Sequence, residues 1–369
     1  MLNKPENLTL FLASLEGGGI QKATMRLIHE FIKKNIHVTL VVVNARGHIK
    51  NEIPGDCTLV DLDCQRTRYA IFKLIPYLLS EKPAIAISSQ THLNVLIIFI
   101  RLLIGYPKHL IVREHITFNA EMAMDKRLQE RLRPWLIRLF YPFASRFVTV
   151  STAAAKSIHH YAGYKKDIQV IQNGLDIALI HSKAKQLPTH LWLNSMRSKL
   201  IVGMGRLSPQ KNFSELLKAF SLLENKQNYR LIILGEGPEL EKLITISKEL
   251  DIQDYVDFPG FIENPYSILA RADVFILSSK WEGYANVVIE ALACGVPVIA
   301  TDCPGGPSDL LADKSFAKIV AVDDPTAMAC AIEDMLAARN DKTQIAKYAK
   351  RFNIKDIAQQ YVDLINGLQ

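Results

Sequence analysis

Two carboxylates eight positions apart, Glu282 and Glu290, lie in SSKWEGYANVVIEALACGVPVIATD, and two cations, Arg206 and Lys211, lie in GMGRLSPQKNFSELLKAF. Both segments join an apolar strand-like run to a helical pattern. If the chain is helical from Tyr284 onward, Glu290 sits about two turns in, so the carboxylates look to similar sides at different depths. Such a pair can meet a sugar with one member and a ribose with the other. Glu290 is flanked by apolar residues in VVIEALA, where a carboxylate is costly unless hydrogen-bonded, which favours a ligand role. The amides of Gly283, Tyr284, Ala285 and Asn286 open the same helix and lack intrahelical partners. Arg206 and Lys211 follow Gly203 and Gly205 around a helix start, and two cations beside a helix N-terminus form a pyrophosphate site. The alternative is a surface Arg and Lys holding nothing.

The first strand-to-helix turn, LASLEGGGIQKATMRL, places Gly17, Gly18 and Gly19 where strand gives way to helix. Glycines there let a ligand approach the backbone beside free amides, although a merely tight turn reads the same way. Neither GxGxxG nor GxxxxGK[ST] is complete anywhere in the chain. Cys57, Cys64, Cys294, Cys303 and Cys330 form no CxxC pair and are odd in number, so neither a disulfide framework nor a zinc site is expected. No metal ligand set is assigned.

These turns must be carried by strands and helices. LTLFLA, HVTLVVVN, AIAIS, HLIV and RFVTVS alternate with helical patterns, and after an irregular stretch from Asp176 to Ser198 the rhythm restarts with KLIVGMG, YRLIILGEG, YVDFPG, ADVFILSS, VPVIATD and AKIVAV. This is the βαβ cadence of parallel sheets. At roughly 100 to 200 residues per domain, 369 residues make two domains. Both are expected to be doubly wound, α/β and Rossmann-like, with ligands at the carboxyl ends of the strands. The expected divisions are 1–185, 186–352, and a C-terminal helix over 353–369 that packs back toward the first domain.

Composition narrows the function. With 49% hydrophobic and 22% charged residues, the chain is an ordinary globular protein. The first residues lack the layout of a signal peptide. LNVLIIFIRLLIG, interrupted by Arg101, is shorter than the ~20 residues that cross a bilayer and reads as a buried helix. Residues 1–190 hold 25 Lys/Arg against 14 Asp/Glu, net +11, whereas residues 191–369 are net −4. The basicity is densest from Lys126 to Arg146, where Lys126, Arg127, Arg131, Arg133, Arg138 and Arg146 stand against Glu130 among Trp135, Leu136, Leu139 and Phe140. Such a stretch can lie on an anionic membrane, hold a phosphorylated substrate, or be a solvated helix face. No reading motif accompanies it, so nucleic acid is not an expected partner.

Glu282 through Glu290 with the following ALACGVPVIATDCPGGPSDLL resembles the carboxylate signature of glycosyltransferase family 4, the retaining group 1 nucleotide-sugar transferases of the GT-B fold. GRLSPQKN, ILGEGPE, VIQNGLD and the EGGG turn resemble the family in the same order. The resemblance implies two Rossmann-like domains facing a central cleft. It implies that Glu290 holds the nucleotide ribose, that Glu282 contacts hydroxyls of the transferred sugar, and that Arg206 and Lys211 neutralise the departing diphosphate. Amides from Gly283 through Val287 would bind sugar and phosphate oxygens, with Tyr284, Ala285 and Asn286 between them. Gly18 and Gly19 would lie at the donor, with Gly205 beside the cations. Gly235 through Gly237 and the Gly260–Phe261 turn would line the base. His115, in VREHITFN, matches a family histidine near the reacting sugar; its other reading is a capping or core histidine.

The chemistry so implied needs no metal or other cofactor, because fixed cations and helix amides can stabilise charge growing on a diphosphate. The expected enzyme moves a hexose or N-acetylhexosamine from a nucleotide-diphosphate sugar, UDP preferred, to a hydroxyl of a lipid-linked or surface-glycan acceptor. It is expected in the cytoplasm, peripheral at the cytoplasmic face of the membrane. Two rivals stand beside it: a nicotinamide-dependent Rossmann oxidoreductase and a non-catalytic sugar-nucleotide-binding subunit.

Overall fold

Strands buried on both faces separate the two cores of the first half. The computed structural model describes residues 7–16, 18–115, 117–118, 128–188, 190–194, 198–311 and 315–368, with only the backbone at 48, 128–131 and 194. Strands β1 (Asn7–Ser14), β2 (His37–Asn44), β3 (Cys57–Asp61), β4 (Ile85–Ser89), β5 (His109–Glu114), β6 (Arg146–Thr149) and β7 (Gln169–Val170) form one parallel sheet in the order β3-β2-β1-β4-β5-β6-β7. Alternation along β1 sends Leu8, Leu10 and Leu12 into one core and Phe11 into the other. Each such fully buried side chain contributes about 1.5–3 kcal/mol.

The core under Leu8, Leu10 and Leu12 is covered by α1 (Gly19–Lys33), whose Leu27, Ile28 and Phe31 face inward, and by the C-terminal helix Ile354–Asn366. Ile354, Ile357, Tyr361 and Ile365 of that helix lie in the same core, with Tyr361 edge-on to Phe31 at 6.4 Å between ring centroids. Asn353 caps it, accepting from the Lys355 amide at 3.2 Å. The opposite face of the sheet carries α2 (Ile71–Glu81), α3 (Thr91–Ile104), α4 (Leu128–Phe140) and α5 (Thr152–Ala162). The apolar stretch expected to be a buried helix is α3, and it is buried on one side only. Leu93, Ile97, Ile98 and Ile100 face the sheet, while Phe99, Leu102 and Leu103 are exposed. Of the basic stretch, Lys126 and Arg127 lie outside the described residues.

The second unit contains β8 (Lys199–Met204), β9 (Tyr229–Leu234), β10 (Val256–Gly260), β11 (Val274–Leu277), β12 (Val298–Thr301) and β13 (Ala317–Val320), parallel in the order β10-β9-β8-β11-β12-β13. Its helices are α6 (Ile177–Ala184), α7 (Phe213–Ser221), α8 (Leu240–Glu249), α9 (Tyr266–Leu269), α10 (Asn286–Ala293), α11 (Ser308–Leu311), α12 (Pro325–Ala337) and α13 (Lys342–Ala349). The units divide after Leu175, ten residues before position 185, and the chain returns to the first unit at Phe352. The reason is α6, a helix in a stretch expected to be irregular. Asp176 caps it by accepting from the Leu179 amide at 2.9 Å, and it packs on α9 and α10.

In both sheets the strand order reverses next to the first strand, giving switch points between β1 and β4 and between β8 and β11. Loops leaving such a pair diverge, and the crevice between them is where open α/β sheets take ligands.

Candidate active site

At the β8/β11 switch point the two loops bring their charged residues together. Lys211 Nζ and Glu282 Oε1 are 2.5 Å apart, with the side chains 15% and 6% exposed. Ser279 Oγ donates to the same Oε1 at 2.6 Å. The loops are tied at backbone level as well: the Lys280 amide donates to the Gln210 carbonyl at 2.8 Å, Gln210 Nε2 donates to the Trp281 carbonyl at 3.0 Å, and Ser278 Oγ donates to the Lys211 carbonyl at 2.8 Å. The Glu282 amide donates to the Pro304 carbonyl at 2.9 Å, which fixes the carboxylate from a third loop. A buried charge pair so supported can hold its geometry. Arg206 is exposed on the loop after β8, and Lys211, the other cation expected to face a diphosphate, is paired with Glu282.

Glycines allow the loops after β8, β9 and β10 to pack backbone to backbone. The Gly205 amide donates to the Leu234 carbonyl, and the Gly235 amide to the Gly260 carbonyl, both at 2.9 Å. Gly235 has φ +132°, and a Cβ there would lie 2.0 Å from the Gly205 oxygen. A Cβ on Gly237 would lie 2.2 Å from the Leu207 oxygen. Gly235 and Gly237 are therefore required by loop contact, whatever they line. Beyond Gly260, Phe261 presents an exposed ring.

The helix begins at Asn286 and not at Tyr284 as expected, so Glu290 lies about one turn into α10, on its buried part, while Glu282 stands in the loop before it. Burial, and then the Glu290 charge, push the Cys294 thiol up to about 12. At the start of α10 the Asn286 amide donates to the Tyr284 carbonyl at 2.9 Å, so it is engaged and not free as expected. The other amides of this turn, of Gly283, Tyr284, Ala285 and Val287, sit where helical geometry supplies no carbonyl. The Tyr284 hydroxyl and Asn286 Oδ1 are buried with no hydrogen-bond partner among the described residues. Buried polar atoms of that kind are uncommon and point to a ligand or water.

In the first unit, Gly18 is the N-cap of α1 and carries no side-chain cap; Gly19 begins the helix, and both are exposed. Gly17 lies outside the described residues. His115 follows β5 and is buried, its Nε2 without a hydrogen-bond partner among the described residues. Burial, and then the Arg113 charge, hold its pKa well below the usual histidine range, so it is neutral at pH 7.

Its neighbours were not anticipated from sequence. Arg113 is enclosed, donating to Asn173 Oδ1 at 2.6 Å and lying 5.7 Å from the centroid of the Tyr361 ring. Glu114 points to the other face of the sheet, where Asn94 Nδ2 donates to its Oε1 at 3.1 Å and the Tyr141 hydroxyl donates to the same oxygen. Burial raises the Glu114 carboxyl to about 6, against these donors. The available signal was the pair of charges closing HLIVRE, since strands covered on both faces are otherwise apolar. Among the described residues no group of three or more His, Cys, Asp or Glu is gathered for a metal ion.

Residues 17–179 match the family model Glycosyltransferase Family 4, and residues 192–352 match Glycosyl transferases group 1. The fold is that of HepE from Anabaena in complex with UDP, with a TM-score of 0.80 and 19% identity over 98% of this chain and 100% of that one. Two doubly wound parallel units with these matches define a glycosyltransferase of the GT-B class. The chain belongs to the group 1 glycosyltransferases of family 4. It is 27% identical, over 98% of its length and 100% of the relative's, to the N-acetylgalactosamine-N,N'-diacetylbacillosaminyl-diphospho-undecaprenol 4-alpha-N-acetylgalactosaminyltransferase of Campylobacter jejuni. The lipopolysaccharide core biosynthesis glycosyltransferase LpsD of Rhizobium meliloti is 29% identical over 62% of this chain and 65% of its own. Family membership sets aside the nicotinamide oxidoreductase and the non-catalytic subunit.

Proposed function

We propose that this glycosyltransferase moves a hexose or N-acetylhexosamine from a UDP-sugar to a hydroxyl of a lipid-linked glycan, with retention of configuration. The observation that carries the reading is the buried Lys211–Glu282 pair at the β8/β11 switch point, with Glu290 on the helix that follows, α10. Glu290 accepts hydrogen bonds from the ribose, Glu282 orients the sugar hydroxyls, and Phe261 stacks on the base. Amides of Gly283 through Val287 meet sugar and phosphate oxygens. The acceptor oxygen attacks the anomeric carbon on the face the phosphate leaves, its proton passes to the departing phosphate oxygen, and Arg206 and Lys211 stabilise the charge that grows there. His115, neutral, can accept a hydrogen bond from a sugar hydroxyl without adding a positive charge.

Support for UDP comes from HepE, whose structure holds it, and support for a polyprenyl-diphosphate acceptor comes from the name of the Campylobacter relative. No helix among the described residues is long and apolar enough to cross a membrane. The reading gives the enzyme a cytoplasmic, peripheral place at the membrane, which fits the basic first half. Incubation with UDP-, GDP- and ADP-sugars, without acceptor and then with a diphospho-undecaprenol-linked glycan, tests it. Slow hydrolysis of a UDP-sugar and an α-linked product from an α-donor are expected. Hydrolysis of GDP- or ADP-sugars alone, or an inverted product, would overturn it.

A further inference from the structure

Ten large apolar side chains are exposed between Tyr69 and Phe143, more than on all the rest of the described chain. Eight belong to the helical layer made by α2, α3 and α4, in which α2 packs on α3 and α3 on α4, and Tyr69 and Phe143 lie on the 3-10 turns that precede α2 and follow α4. Phe72 of α2 is 76% exposed, Leu103 of α3 is 61% exposed, and Trp135 of α4 is 68% exposed. Elsewhere exposed apolar side chains are scattered, which needs no explanation; concentration on adjoining helices does.

The same layer is cationic. Residues 66–82, 91–108 and 128–146 together contain ten Lys/Arg and only two acids, Glu81 and Glu130. Cations and rings are paired on its surface: the Arg138 guanidinium lies 5.8 Å from the Trp135 ring centroid, and that of Arg68 lies 4.9 Å from the centroid of Tyr69. An apolar body with a cationic tip suits the boundary between acyl chains and headgroups.

We propose that the outer layer of α2, α3 and α4 is a docking face that seats its aromatic and aliphatic side chains in the interfacial region of an anionic bilayer. Charge decides the occupant. A second copy would set one strongly positive face against another, and an anionic polymer would leave the apolar side chains in water; an anionic lipid surface satisfies both features. The inference extends the membrane-surface reading above from one basic stretch to three helices, and makes apolar insertion a requirement beside charge.

Flotation of the full chain with phosphatidylcholine vesicles, with and without phosphatidylglycerol, is the test. Binding to the phosphatidylglycerol vesicles is expected, with a blue shift of fluorescence that Trp135→Phe abolishes. Phe72→Gln/Leu103→Gln/Trp135→Gln alters exposed positions and is expected to weaken binding at least tenfold at both low and high salt. Arg138→Gln is expected to lose only the salt-sensitive part. Flotation of the triple variant like the unaltered chain, absence of binding by the unaltered chain, or a dimer in solution that the triple substitution dissociates would each overturn the proposal. Hydrolysis of the UDP-sugar without acceptor should survive in the triple variant. Docking without any transfer to a lipid-linked glycan would refute the acceptor assignment and leave the docking face standing.

Discussion

Lys211 and Glu282 hold each other at 2.5 Å across the two loops that diverge at the second switch point. The cation assigned to the diphosphate and the carboxylate assigned to the sugar are thus one unit before they are two binding groups. A diphosphate that draws on Lys211 must share it with Glu282, and each residue's replacement changes the charge felt by the other.

Lys211→Ala should lower stability by about 3–5 kcal/mol, because it leaves the Glu282 carboxylate buried without its cation. The double variant Lys211→Met/Glu282→Gln should recover most of that loss and remain inactive. Urea titrations beside UDP-sugar turnover check this, and additive losses in the double variant would show that the pair is not coupled.

For Glu290→Gln, UDP affinity should fall by about tenfold to a hundredfold, the equivalent of ~1.5–3 kcal/mol for hydrogen bonds to a charged group. Calorimetric titration measures it, and an unchanged affinity would remove Glu290 from the nucleotide site. Arg206→Ala should instead lower kcat more than it weakens donor binding, since the charge it faces grows in the transition state.

The Glu114 carboxyl, raised from 4.5 to about 6, makes a stability prediction with a definite sign. Between those values the folded chain holds a proton that the unfolded chain has lost, so the contribution of this group is full below pH 4.5 and disappears as pH rises through 6. The change is about 2 kcal/mol. Glu114→Gln keeps an acceptor for Tyr141 and Asn94 and should flatten the dependence, as seen in the difference between variant and unaltered chain in urea melts across that window.

Arg113 acts on His115 in the opposite sense to a carboxylate, disfavouring the protonated ring. Arg113→Met should therefore raise the histidine's pKa and move the acid limb of kcat/KM upward, while Arg113→Lys should leave the limb nearly in place. A pH profile distinguishes this from a general loss of fold, which lowers activity at every pH.

Gly235→Ala should destabilise the second unit by on the order of 3 kcal/mol or more, since it combines a left-handed backbone with a Cβ 2.0 Å from a carbonyl oxygen. Gly55→Ala, where a Cβ meets nothing within 4 Å, is the control. Thermal melts of the two variants suffice.

Alternation and spacing made the second sheet and five of the seven strands of the first legible, missing the short outer strands β3 and β7, and placed Arg206, Lys211 and Glu282 on turns and Glu290 in a helix. What spacing does not carry is which charge meets which. Lys211 and Glu282 are 71 positions apart, and only the strand order β9-β8-β11 puts their loops side by side. Asn94, Glu114 and Tyr141 come from three elements and meet only after the sheet is ordered. Apolarity also failed to report burial: α3 reads the same whether its outer side faces protein or not, and Phe99, Leu102 and Leu103 face none.

The last helix also sets a schedule. Because Ile354, Ile357, Tyr361 and Ile365 finish a core that Leu8 and Phe31 begin, the part synthesised first is the part that matures last. The second unit is continuous in sequence and can close its own core while the groove beside Phe31 is still bare. A chain arrested just before this helix would therefore carry a finished second unit on an unfinished first unit, and holdase chaperones should recognise it by that groove alone.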